Sequence, residues 1–342
     1  MKIKNLITGL FAVSLLSVTA CKDDNDIIVE HGAYENGVLI SAEGAFNSNQ
    51  AEVSFVTSDL SKVSENIYSA TNGQKLGDVL QTIGAKDDKA YLVVNNSNKI
   101  EVVNRYSFKK MATISAEVNQ PRDIAFSNNY IYVTNDKYLG DKYVAVYNAS
   151  DFSFIKKISF TDAAQDIAVI DGKAFVQNAS YGFGKNISVI NTKTNNLDTT
   201  VSVPKGDIQK TIAYKNRVYT ITSDGVDSYI YTIDATATIA NTLRLTGIPY
   251  ATNLVIDNDN YYFSSNNQVY TMPLSSSSPK LLFAASESPY GTLYGFNVID
   301  GKIFTSNAGD FASPSEITVY SITGSKLKTF NGGIGVGGFY KN

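Results

Sequence analysis

Tyr130-Ile131-Tyr132-Val133-Thr134-Asn135-Asp136 is the stretch on which the fold turns. It is built of aromatic and β-branched residues, which favour strands, and it ends in turn formers. Just upstream stands Asp123-Ile124-Ala125-Phe126, a strand-like phrase that has counterparts opening at Thr82, Asp166, Thr211, Asn253 and Gly295. The successive intervals are 41, 43, 45, 42 and 42 residues. After each comes a second strand pattern (residues 90–95, 131–135, 174–178, 218–222, 262–266 and 303–307) and a third (99–104, 144–148, 187–191, 229–234, 268–272 and 317–321). A weaker, edge-like fourth pattern follows, as at 154–160. Tight-turn signals such as Asp171-Gly172 and Asp300-Gly301 separate the first two. Four short strands in a period in the low forties is the pattern of a β-propeller blade.

Residues before Thr82 supply a second-type strand (38–42), a third (52–57) and a fourth near 66–68, but no first. One more period beyond Gly295 reaches Gly335-Val336-Gly337-Gly338-Phe339-Tyr340. The C-terminal segment is therefore expected to become the inner strand of the first blade and close the ring, removing its free edges. The expected fold is all-β: a seven-bladed propeller of four-stranded antiparallel blades over residues 37–342.

Tyr132-Val133-Thr134-Asn135 spells the phrase that names the YVTN family of propeller repeats, which the chain resembles over about residues 37–340, although only this blade carries all four letters. That motif speaks for fold and hardly for activity. The Asn repeated at the end of the second strand (Asn135, Asn178, Asn266, Asn307) reads as a turn former rather than a ligand group.

Composition excludes several classes of function. The net charge is −3 with no long basic run, so nucleic acid is not an expected partner. One Cys and one His in 342 residues rule out a disulfide framework and any Cys/His-built zinc site. His31 precedes the first strand, so His-assisted triads and facial metal triads lack their imidazoles.

The N-terminus reads as an address. Lys2 and Lys4, an apolar run over 6–18 and Val18-Thr19-Ala20 before Cys21 form an export signal over residues 1–20, with 21–36 as a tether. Val18-Thr19-Ala20-Cys21 resembles the bacterial lipobox, which implies lipidation of Cys21. Lys22-Asp23-Asp24 is similar to the surface-export signal of outer-membrane lipoproteins in a large group of Gram-negative bacteria. The localisation implied is the outer membrane, lipid-anchored and facing the medium.

Propeller geometry puts the 2-to-3 loops and the connectors between blades on one face, and the 1-to-2 and 3-to-4 turns on the other. The first face is expanded at 43–51, 136–141, 179–185 and 308–315, where Phe46, Tyr138, Tyr181, Phe183 and Phe311 stand. Connectors on that face add Arg122, Gln165, Tyr250, Tyr290 and Tyr294, and Asp123 and Asp166 open inner strands near the axis. Rigid aromatics gathered on one face suggest a binding surface or lids over blade ends; the two Asp side chains suit hydrogen bonds to neighbouring turns as well as ligand contacts.

Three classes of function remain. Small-molecule capture is implied by resemblance to seven-bladed surface lipoproteins that take up cobalamin and deliver it to a TonB-dependent outer-membrane transporter. A protein- or glycan-binding adhesion module would use the same aromatic loops. A propeller lactonase, lyase or hydrolase would need a metal, for which Glu43, Asp123 and Asp166 form the one all-oxygen candidate set for calcium. The expectation is a binding protein and not an enzyme, with no cofactor and no resident metal.

Overall fold

The structure is a computed structural model describing residues 32–286 and 291–342. The segment expected to be an export signal, Cys21, His31 and Tyr290 lie outside the described residues. The chain divides into units Met1–Glu30 and His31–Asn342, and the second is the ring.

Seven four-stranded antiparallel sheets make up that unit. Blade 3 shows how the opening stretch earns its place: Tyr130–Asp136 pairs with Pro121–Ser127 on one side and Lys142–Asn148 on the other, and Phe154–Phe160 is the outer edge. Both faces of a blade are covered by neighbours, so this strand is buried almost throughout instead of alternating with solvent. Ile131 and Val133 enter a core shared with Tyr91, Val93 and Val102 of blade 2. Tyr132 points the other way, among Ala174, Val176 and Ile190 of blade 4, and its hydroxyl donates to the carbonyl of Thr192 at 3.4 Å.

The ring closes where the sequence predicts. Val336–Lys341 pairs antiparallel with Gly37–Ala42, Leu39 opposite Tyr340 and Ile40 opposite Phe339. The Asn342 side chain fastens the end: its Oδ1 accepts from Arg105 Nε at 2.8 Å and its Nδ2 donates to the Arg105 carbonyl at 3.0 Å.

One element differs. The fourth strand of blade 1 is the two-residue Val63–Ser64, and the residues expected as that strand instead open the helix Ile67–Asn72. Ile67 and Tyr68 are buried against Leu76, Leu80 and Phe108, so the helix plugs the space between blades 1 and 2. The carboxylate of Glu52 holds its start by accepting from Tyr68 N (3.1 Å) and Ser69 N (3.2 Å). The repeated Asn also divides. Asn266 and Asn307 serve turns, whereas buried Asn135 accepts from Asn119 N at 2.8 Å and Asn178 donates to the Ala163 carbonyl at 2.7 Å. These two clamp connectors between blades.

Candidate functional site

At the top of several inner strands the pairing skips a residue: between Leu80 and Thr82, Pro121 and Ile124, Ile208 and Lys210, and Thr252 and Val255. Such a bulge lets two consecutive side chains share one direction. That is why Gln81 and Thr82, or Arg122 and Asp123, both line the axis. The result is an axial channel of about 500 Å³ walled by the inner strands of the blades and the residues that lead into them, with Glu43, Arg122, Asp123, Asp166, Lys210, Asn253, Tyr294, Asn297 and Tyr340 among its polar residues.

The carboxylates in the channel are committed to neighbours. Asp123 accepts from Ile124 N (2.8 Å) and, across the blade boundary, from Ile167 N (3.0 Å). Asp166 repeats this one blade on, accepting from Thr211 N (3.0 Å) and from Lys210 Nζ (2.9 Å). Asn297 continues the series by donating to the Phe339 carbonyl at 2.7 Å. Burial, reinforced by the Asp166 charge, raises the Asp123 carboxyl to about 6. Burial works against the Lys210 ammonium, but Asp166 and Asp123 outweigh it and hold its pKa above the ordinary lysine value. Burial also raises Glu43, opposed by a 2.7 Å hydrogen bond from the Tyr294 hydroxyl and by the charge of Arg122.

A second cavity, about 840 Å³, opens off the axis over blades 4 to 6. It shares Gln165, Asp166, Lys210 and Asn253 with the channel, so the two form one trough running from the axis to the rim. Its outer walls are the hairpin tip Tyr181-Gly182-Phe183, the loop Ser223-Asp224-Gly225, and Tyr250. The hairpin is where the sequence suggests a loop over 179–185; instead the strands Lys173–Ser180 and Phe183–Asn191 run on to a two-residue tip. Gly184 makes that possible. Its φ is +120°, a Cβ there would lie 2.6 Å from the Asn178 carbonyl oxygen, and its N–H donates to Asp207 at 3.1 Å. Opposite, Tyr250 is set by its N–H, which donates to Ser223 Oγ at 2.8 Å, and its ring lies over Gly225.

Blade 3 supports the shared wall. Thr134 Oγ1 donates to the Gln165 carbonyl, and Asp136 accepts from Gln165 Nε2, both at 2.6 Å. The phrase that identifies the fold therefore also positions a lining residue.

The residues expected from sequence fall into separate places. Arg122, Asp123 and Tyr294 line the channel, Tyr181, Phe183 and Tyr250 line the lateral cleft, and Asp166 lines both. Phe46 and Tyr138 are exposed on the rim and line neither cavity. Phe311 packs edge-on against Tyr294, ring centroids 4.8 Å apart, as a lid on that side of the mouth. Calcium ligation by Glu43, Asp123 and Asp166 does not match the geometry, because the two Asp side chains already accept from backbone N–H groups and Lys210. No cluster of three or more His, Cys, Asp or Glu suited to a metal occurs among the described residues.

Lys210, Gln81, Asn253 and Tyr340 were missed. A signal existed for three of them: Gln81 and Lys210 each stand one residue before an aligned repeat position, as Arg122 and Gln165 do, and Asn253 is itself an aligned position.

Residues 36–337 match the family described as Domain of unknown function (DUF5074). The chain belongs to the DUF5074 family. No curated protein matches the sequence. Among solved structures, this DUF5074 protein is similar to a functionally unknown protein from Desulfotomaculum acetoxidans DSM 771, with 12% identity, TM-score 0.65 and coverage of 89% of this chain and 98% of that one. It is also similar to the computationally designed Ika8 protein (11% identity, TM-score 0.59, 90% of each chain). A third likeness is to hydrazine synthase of Kuenenia stuttgartiensis (13%, TM-score 0.59, 73% of this chain and 85% of that one). At these identities the likeness is one of fold. No helix among the described residues is long and apolar enough to cross a membrane.

Proposed function

We propose that this DUF5074 protein captures a small molecule in the trough over blades 4 to 6 and holds it at the cell surface for a transporter. The observation that carries the reading is the continuity of the two cavities through Gln165, Asp166, Lys210 and Asn253. One end offers aromatic faces for a flat apolar body, and the other offers amides and charges for polar substituents. Binding is favoured over catalysis because Asp123 and Asp166 already hold blades together and there is no imidazole in the trough.

The lipobox-like residues 18–21 and the Lys22-Asp23-Asp24 segment support a lipid anchor on the outer leaflet of the outer membrane. Together with the YVTN-like repeat they make a corrinoid such as cobalamin the ligand to try first, and a TonB-dependent transporter the partner to look for. Phe46, Tyr138 and Leu139, exposed outside both cavities, offer contact area for such a partner.

Calorimetry on the chain lacking residues 1–21, titrated with cyanocobalamin, is expected to show saturable heat. No heat at high micromolar ligand removes the corrinoid and leaves a wider ligand screen to test capture. Cys21→Ser is expected to release the protein from membranes; unchanged fractionation after detergent-free lysis refutes the anchor.

A further inference from the structure

Arg122 and Lys210 are the two cations lining the axial channel. Lys210 is paired with Asp166 at 2.9 Å. Arg122 is half-buried and has no carboxylate at ion-pair distance among the described residues. Its Nη1 donates to Gln81 Oε1 and its Nη2 to the Asp136 carbonyl, both at a long 3.3 Å and both neutral acceptors, while its Nε is buried with no partner. A guanidinium in such a place is under-satisfied, since a desolvated cation gains most from a charged, bidentate acceptor.

The carboxylates that could have served it are held elsewhere. Asp123 and Asp166 bind backbone N–H groups of the next blades. Glu43 accepts from Tyr294, and burial opposes its ionisation. Arg122 thus presents unspent donor capacity to the channel where the trough reaches the axis.

We propose that Arg122 is an oxyanion subsite, taking a carboxylate or phosphate group of the captured molecule at the axial end of the trough. The proposal rests on the capture reading and adds the chemical class of the group at that end. Glu43 lines the same channel as Arg122, and its carboxylate disfavours an incoming anion there.

The chain contains four arginines, Arg105, Arg122, Arg217 and Arg244, so arginine-selective ¹⁵N NMR resolves Arg122 directly. The chain lacking residues 1–21 retains the whole unit His31–Asn342 and is titrated separately with inorganic phosphate and with acetate at constant ionic strength. The Nε–H signal that disappears in Arg122→Lys should shift saturably while the other three stay in place. The anion with the larger shift at equal concentration identifies the group. Arg122→Gln should weaken binding of an anion-bearing ligand about tenfold to a hundredfold, the range for losing a charged hydrogen bond. Glu43→Gln should tighten it.

A uniform, non-saturating drift of all four signals with both anions overturns the subsite, as does weaker binding in Glu43→Gln, which would make Arg122 a partner of Glu43. Cyanocobalamin bound equally by wild type and Arg122→Gln overturns the subsite and leaves capture standing. A saturable Arg122 response without corrinoid binding leaves the subsite standing and removes only the corrinoid.

Discussion

Phe108 and Tyr181 each hold left-handed backbone at the tip of a blade, on opposite faces of the ring, with φ of +59° and +51°. Phe108 folds its ring back into the core and is fully buried; Tyr181 leaves 76% of its surface in solvent. The contrast extends across the two faces. On the turn face, left-handed positions fall more often than not to Asn or Asp, among them Asn128, Asp171, Asn258 and Asp300, side chains that tolerate the conformation. On the loop face they include Leu139 and Tyr250, exposed at 89% and 62%. A left-handed non-glycine residue costs roughly 1–2 kcal/mol. Burial offsets that cost for Phe108, whereas Tyr181 and Tyr250 keep most of their surface in solvent. One face is optimised for the ring, and the other keeps strained, exposed aromatics beside a polar trough, the combination expected of a surface that meets a ligand.

Substitution should separate the two faces. Phe108→Ala is expected to lower stability by about 3–5 kcal/mol, as for other buried aromatics, and to leave ligand affinity unchanged at temperatures where the protein stays folded. Denaturant titration and calorimetry on the same variant check both halves. The double substitution Tyr181→Ala with Tyr250→Ala should do the reverse. Stability should move by no more than about 0.5 kcal/mol, and affinity should fall about fivefold to a hundredfold, since two rings at about 0.5–1.5 kcal/mol of stacking each contribute about 1–3 kcal/mol. Equal effects of the two variants on affinity would erase the distinction between the faces.

A smaller effect concerns pH. Asp123 titrates near 6 in the folded chain against a reference of 3.8, so between those values the folded state binds more protons than the unfolded one. Its contribution to stability is therefore greatest below about pH 4 and is lost as pH rises through 6. Asp123→Asn loses an acceptor for Ile167 N and is less stable at every pH, but the gap to wild type should narrow from pH 4 to 6. A constant gap in denaturant midpoints would show that the channel does not disfavour the charged carboxylate.

Much of the ring was legible because its determinants are local and repeated: the register of Thr82, Asp123, Asp166, Thr211, Asn253 and Gly295 placed the inner strands, and adding one period located the closing strand at Val336–Lys341. Ile67 and Tyr68 were not, since two adjacent apolar residues suit a strand or a buried helix equally and only the gap between blades 1 and 2 decides. The site was legible by face but not by sector. Phe46, Tyr138, Tyr181 and Tyr250 look alike in sequence, and their separation into rim and cleft follows from their positions around the ring. Lys210 escaped notice because a bulge turns it toward the axis, and bulges break the alternation from which strand faces are read.

Hydrogen exchange of the chain lacking residues 1–21, with and without cyanocobalamin, tests the central claim most directly. The account predicts new protection at 179–184, 207–211, 223–225 and 250–253, and none at the turns around Asn128, Asp171, Asn258 and Asp300. Protection on the turn face, protection confined to the rim around Phe46 and Tyr138, or no change anywhere would contradict it.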